Sequence, residues 1–179
     1  MRLVDVAEMG NQSGGASAFV SACFERVGLA PPARVLDVPC GFGRNASFLA
    51  RKGFDVAAID IDPVRVRATK EAPAGCGSIA AQVADATVRL PFGPRSFDIA
   101  LVIHYVSPRI LADIETVLRR GGHLIFETFG GQGHNWIDLP APGTIRRELE
   151  PRFDILIYRE RAVGPAKEAV SVKLLARKR

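Results

Sequence analysis

The chain has 179 residues, 47% of them hydrophobic and 24% charged, with a net charge of +5; this is an ordinary globular balance, and the length suits one domain over 1–179 with one buried core. No apolar run approaches the ~20 residues of a membrane span, and Met1 to Gly10 carries Asp5 and Glu8 without a long apolar stretch, so neither a membrane segment nor a secretory leader is expected. Cys23, Cys40 and Cys76 form no metal spacing and no even disulfide set, which points to a reducing, cytoplasmic compartment and no metal site, while dispersed cations and the lack of a nucleic-acid module make nucleic acid an unlikely partner.

Helix and strand signals alternate along the chain. Within an N-terminal helical segment (1–30), residues 16–28 place Phe19, Val20, Cys23, Phe24 and Val27 on one helical face, with Ser13 or Ser17 as cap and Leu29-Ala30-Pro31-Pro32 as stop. The core (33–179) opens with a strand at 33–38, a glycine turn, and a helix over 45–52, capped by Asn45 and closed by Gly53. A second strand, 54–60, is apolar up to Asp60 and reads as buried on both faces. Asp62-Pro63 starts a helix, and 78–83 is a third, weaker strand. Phe97 to Tyr105 is the central strand. Ser107-Pro108 caps a helix with Ile110, Leu111, Ile114, Val117 and Leu118 on its face, which Gly121 is expected to end. A fifth strand at 123–129, a short helix at 144–149 and an antiparallel pair at 153–159 and 169–176 complete the pattern. Strands alternating with crossover helices make the first five strands parallel. The expectation is a three-layer α/β fold, Rossmann-like, with a mostly parallel seven-stranded sheet and an antiparallel C-terminal hairpin.

In such a sheet ligands sit beyond the carboxyl ends of the strands. Asp37, Asp60, Asp85 and His104-Tyr105 all fall at that edge, so four strands deliver polar groups to one rim. Asp60, at the end of the second strand, is placed to accept hydrogen bonds from a ribose diol, a device that nicotinamide enzymes share. Gly41-Phe42-Gly43-Arg44-Asn45-Ala46 also fits the loose dinucleotide pattern. Asp37 argues against a pyrophosphate over the turn: at about 5 Å and an effective dielectric of 20, each negative charge would be repelled by roughly 3 kcal/mol. A ligand with an ammonium group reverses that sign.

Leu36-Asp37-Val38-Pro39-Cys40-Gly41-Phe42-Gly43-Arg44-Asn45 resembles the glycine motif of class I S-adenosylmethionine-dependent methyltransferases, and Leu118-Arg119-Arg120-Gly121-Gly122-His123-Leu124-Ile125 resembles the approach to that family's fifth strand. Gly43-Arg44-Asn45 and the compact length are further similar to its small tellurite-resistance-type members. The resemblance spans about residues 33–129 and implies S-adenosyl-L-methionine as cofactor. It implies Asp37, Gly41 and Gly43 at the turn, Asp60 at the ribose, Ile61 against adenine, and Asp85 with Ala86 at the adenine amino group. Pro39 stands where the family often has Gly and removes one N–H donor.

Arg44 is either a partner for the methionine carboxylate or an exposed helix arginine. His104, the best-placed general base, and Tyr105 beside it are either chemical groups or packing against the cofactor. His134 and Trp136, in the glycine-rich loop after the fifth strand, are the candidate substrate contacts, with Trp136 alternatively an anchor for that loop. Glu127 faces the site or pairs with an arginine; His123, on the opposite edge, is structural. The absence of an Asn-Pro-Pro-aromatic sequence after the fourth strand speaks against a DNA amine methylase. The expected reaction is in-line methyl transfer to a small molecule. A non-catalytic cofactor-binding module and a nicotinamide oxidoreductase are the alternatives.

Overall fold

The computed structural model describes residues 16–131 and 135–179. Seven strands form one sheet: β1 (Arg34–Asp37), β2 (Asp55–Asp60), β3 (Ser78–Val83), β4 (Phe97–Ile103), β5 (Leu118–Glu127), β6 (Phe153–Val163) and β7 (Ala169–Lys178). Their order is β3-β2-β1-β4-β5-β7-β6. The first five are parallel, and β7 runs antiparallel to both β5 and β6. The order reverses between β1 and β4, which puts the binding crevice at their carboxyl ends.

Alternation along the buried strands feeds two cores. On β2, Ala57 and Ile59 point to one layer, and Val56 and Ala58 to the other. The second layer is covered by α1 (Ala18–Val27), α2 (Arg44–Arg51) and α3 (Pro63–Glu71), through Phe19, Cys23, Phe24, Leu49 and Val66. The first is covered by α4 (Pro108–Val117) and α5 (Thr144–Leu149), through Ile110, Leu111, Ile114, Ile145 and Leu149. This is the three-layer arrangement that the alternation predicts.

Helix starts follow local chemistry. Asp62 caps α3, its Oδ1 accepting from the Val64 N–H at 2.8 Å, with Pro63 in the first helical position. Ser107 holds the N-cap position of α4 as expected, without a side-chain cap bond, whereas two other expected caps are displaced. Gly43, left-handed at φ 78°, occupies the start of α2, so Asn45 lies inside the helix and its Oδ1 accepts from the Ser17 N–H at 3.2 Å. Ser17 precedes α1 without capping it, because its hydroxyl donates to Glu127 at 2.8 Å. Ser13 lies outside the described residues.

Two strand boundaries also differ from expectation. β4 ends at Ile103 rather than at Tyr105, because His104 turns left-handed at φ 57°. α4 ends at Val117, and β5 begins at Leu118 rather than at His123. Leu118 pairs with Phe97 and His123 with Ile99, so the intervening residues bulge out of the ladder. Gly121, at φ 77°, serves that bulge instead of a helix end. Carbonyls where α4 passes into β5 are met by Lys178, whose Nζ donates to Glu115 O at 2.5 Å and Leu118 O at 2.9 Å.

Candidate functional site

The β1 turn is held from below. The Cys40 N–H donates to Ile59 O at 2.7 Å, and the Thr69 hydroxyl donates to Gly41 O at 3.0 Å. A Cβ on Gly43 would lie within 3.0 Å of Thr69 atoms, so this glycine lets α3 approach the turn. Gly41 is different. It sits at φ 55°, and a Cβ there would meet nothing within 4 Å. The turn therefore leaves open space on its outer side. Cys40 is buried, and loss of solvent raises its thiol to about 12, so it packs rather than reacts.

Asp60 ends β2 almost wholly buried, at 2% exposure. Its Oδ2 accepts from the Gly41 N–H at 2.9 Å, and its Oδ1 from the Asp62 N–H at 3.0 Å. Each oxygen keeps further acceptor capacity. Arg65 on α3 brings a guanidinium to 3.9 Å from Asp60 Oδ1 and lies over the Phe42 ring at 5.8 Å. That neighbour was not legible in the sequence. Beside it Ile61 is 62% exposed and Phe42 65% exposed, two large apolar side chains facing solvent at the polar rim.

Asp37 is the electrostatic anomaly. It is completely buried, and neither carboxylate oxygen has a hydrogen-bond partner. Burial lifts its pKa from an ordinary 3.8 to about 7, against the weaker pull of the nearby Ala46 N–H, which does not reach hydrogen-bond geometry, and of Arg44. Arg44 opens α2, exposed, and makes no ion pair with a carboxylate among the described residues.

Asp85 follows β3, where its Oδ1 accepts from the Thr87 N–H at 2.8 Å and the Thr87 hydroxyl at 2.6 Å, and these bonds lower its pKa. Ala86 is half-buried against the core layer. His104 is exposed beyond β4, with its N–H on Glu127 O at 2.6 Å. Partial loss of solvent lowers its pKa, with Glu127 opposing and Arg44 and Lys173 adding to the drop. Its ring is therefore neutral at neutral pH. Tyr105 packs partly into the core beside it.

Glu127 is 7% exposed and bonds Lys173 at 2.8 Å, its directly opposed residue on β7, as well as Ser17. Its cationic partner is thus a lysine rather than an arginine. His123 is partly buried and pairs with Ile99 near the start of β4, away from the rim.

Of the two loop candidates, His134 lies outside the described residues. Trp136 belongs to the 3₁₀ turn Asn135–Asp138 and packs with Leu139, Val163 and Ala169, close to Gly164 of the β6–β7 connection. A cavity of about 230 Å³ opens beside that turn. Its walls come from Val106 and Ser107 after β4, Leu111 of α4, Phe126 of β5, Ile137 to Pro140, and Thr144, Ile145 and Glu148 around α5. Sequence spacing gave no sign of α5 at this site, because its contribution depends on where the preceding loop returns to the sheet.

Residues 35–122 match the methyltransferase domain family. That segment, from β1 into β5, belongs to the class I S-adenosylmethionine-dependent methyltransferases. An uncharacterized methyltransferase of Synechocystis is 30% identical over 117 residues, covering 61% of this chain and 53% of that protein. A phthiotriol/phenolphthiotriol dimycocerosates methyltransferase of Mycobacterium leprae is 32% identical over 102 residues, covering 52% of this chain and 36% of the other. The chain thus spans about half or less of these curated relatives. Among solved structures, a TehB-like methyltransferase from Corynebacterium glutamicum superposes with a TM-score of 0.68 at 19% identity, covering 98% of this chain and 93% of that one. Membership makes S-adenosylmethionine, not a nicotinamide dinucleotide, the family's cofactor. The chain's own residues fit it: an orphaned buried carboxylate at Asp37, open space outside Gly41, and an exposed apolar Ile61. Among the described residues no helix is long and apolar enough to cross a membrane, and no group of three or more side chains is arranged to hold a metal.

Proposed function

We propose that this methyltransferase acts on a small-molecule acceptor by in-line transfer. The observation that carries the reading is the cavity that begins two residues beyond His104. Its volume of about 230 Å³ falls just below the ~300–1,000 Å³ of ordinary small-ligand sites. A polymer segment would need an open groove instead.

S-adenosylmethionine supplies an already activated methyl group, so the protein's task is alignment and exclusion of water. Asp60 would accept the ribose hydroxyls with the lone pairs its two backbone bonds leave free. Ile61 and Ala86 would hold the adenine, and Asp85 its amino group. Gly41 gives backbone room, Gly43 seats the turn on α3, and Arg44 would hold the carboxylate. Asp37 would supply the counter-charge for the ammonium. His104, neutral at neutral pH, can accept a proton from an acceptor that arrives protonated, with Tyr105 packing beside it.

The test is S-adenosylhomocysteine release with a panel of small thiols, alcohols, amines and metalloid oxyanions. Acceptor-dependent release stoichiometric with methylated product is expected. Tight cofactor binding with no release across the panel would favour the non-catalytic module instead.

A further inference from the structure

We propose that the acceptor bound in the cavity between α4, α5 and the 3₁₀ turn is a small amine with an apolar body, its ammonium held by Asp138 and Glu148 as an anchor while a separate nucleophilic atom of the same molecule takes the methyl group. This rests on the methyltransferase reading and names its substrate class. Most of the wall is apolar: Val106, Leu111, Phe126, Ile137, Leu139 and Ile145. Its two ionisable lining groups are both carboxylates, Asp138 and Glu148. Neither has an ion-pair partner among the described residues, although most acids around them do, as in Glu115–Arg152, Glu150–Arg146 and Asp113–Arg109. Carboxylates left open at the mouth of an apolar cavity favour a cation there.

Opposing charges are fewer. Arg152 pulls the Glu148 pKa down but pairs with Glu115 at 2.8 Å, and burial outweighs that pull and raises Glu148. Arg147 does not line the cavity, and its guanidinium donates to Thr144 at 3.3 Å. The N-terminus of α4 offers about half a positive charge. Two carboxylates against Arg147 leave the mouth negative. An oxyanion such as tellurite would meet repulsion at this wall, so the likeness to TehB-like structures does not carry over to the acceptor.

Three probes of one shape separate the possibilities: 2-phenylethylamine, 2-phenylethanol and phenylacetate. Each is titrated by calorimetry or saturation-transfer NMR into the full chain, with and without S-adenosylhomocysteine. The amine is expected to bind at least tenfold more tightly than phenylacetate, with the alcohol between them. Asp138→Asn with Glu148→Gln should bring the amine to the level of the alcohol and leave the alcohol's affinity unchanged. Both positions are exposed, so folding should survive, and an unchanged melting temperature checks it. Equal or tighter binding of phenylacetate, no binding of any probe at millimolar concentration, or an amine preference that survives the double substitution would each overturn the proposal. S-adenosylhomocysteine binding, read separately on the same sample, distinguishes these results from a failure of the cofactor assignment.

Discussion

Asp37→Asn separates the cost of the site from its use. Asp37 is fully buried with both oxygens unpartnered, and its pKa rises from 3.8 to about 7. The folded state therefore holds this proton more strongly than the unfolded chain does. Stability from this group is fully present below pH 4, falls as pH rises toward 7, and is flat above that. At 1.36 kcal/mol per pKa unit the loss is on the order of 4 kcal/mol at pH 8. Asparagine cannot ionise, and its amide is no worse placed than a protonated carboxyl. The variant should thus melt on the order of 10 °C higher than wild type at pH 8, given 2–4 °C per kcal/mol for a chain of this size. Near pH 4 the two should melt together. Cofactor affinity should move the other way, since an ammonium group loses its counter-charge. Thermal melts across pH 4–9, with calorimetry of S-adenosylmethionine, read both. A variant no more stable than wild type at pH 8, or stabilised equally at pH 4 and pH 8, would refute the electrostatic reasoning.

Other perturbations reach neighbouring parts of the rim. Asp60→Asn, which keeps one acceptor oxygen for the turn, should weaken S-adenosylmethionine binding by about 1–3 kcal/mol, roughly 5- to 150-fold by calorimetry; unchanged affinity would remove Asp60 from the site. Gly41→Ala and Gly43→Ala should differ. Both strain a left-handed backbone, at about 1–2 kcal/mol, but only the second also collides with Thr69. Melting temperature should therefore fall further for Gly43→Ala, whereas Gly41→Ala should lose more cofactor affinity than its stability change explains. His104 sits at φ 57°, so His104→Gly should relieve strain and keep the fold while lowering turnover more than cofactor affinity. Equal losses in both would reject a proton-accepting role.

Much of the architecture was legible because the strands are written as apolar runs that end in acids. β2 is buried along nearly its whole length, as a parallel interior strand must be, and Asp60 closes it at the rim. Asp62-Pro63 announced α3 through cap chemistry that depends on neighbours in sequence alone. The readings that moved depend on partners far along the chain. Asn45 looked like a cap, but Ser17 claims its oxygen. Gly121 looked like a helix end, but β4 draws Leu118 into the sheet and leaves the glycine to a bulge. At the site, residue types and edge positions were readable, whereas burial was not. Nothing local distinguishes a solvated Asp37 from one sealed under a turn, and nothing local brings Glu148 to Val106. Glu127 illustrates both halves: its place near the strand end was visible, and its lysine partner followed only from the β5–β7 register.

A crystal structure of the chain with S-adenosylhomocysteine addresses the central claim most directly. The account predicts ribose hydroxyls on Asp60, adenine against Ile61 and Ala86, and the amino acid portion over the Gly41 turn above Asp37. A nucleoside bound at another edge of the sheet, with Asp37 and Asp60 untouched, would contradict it.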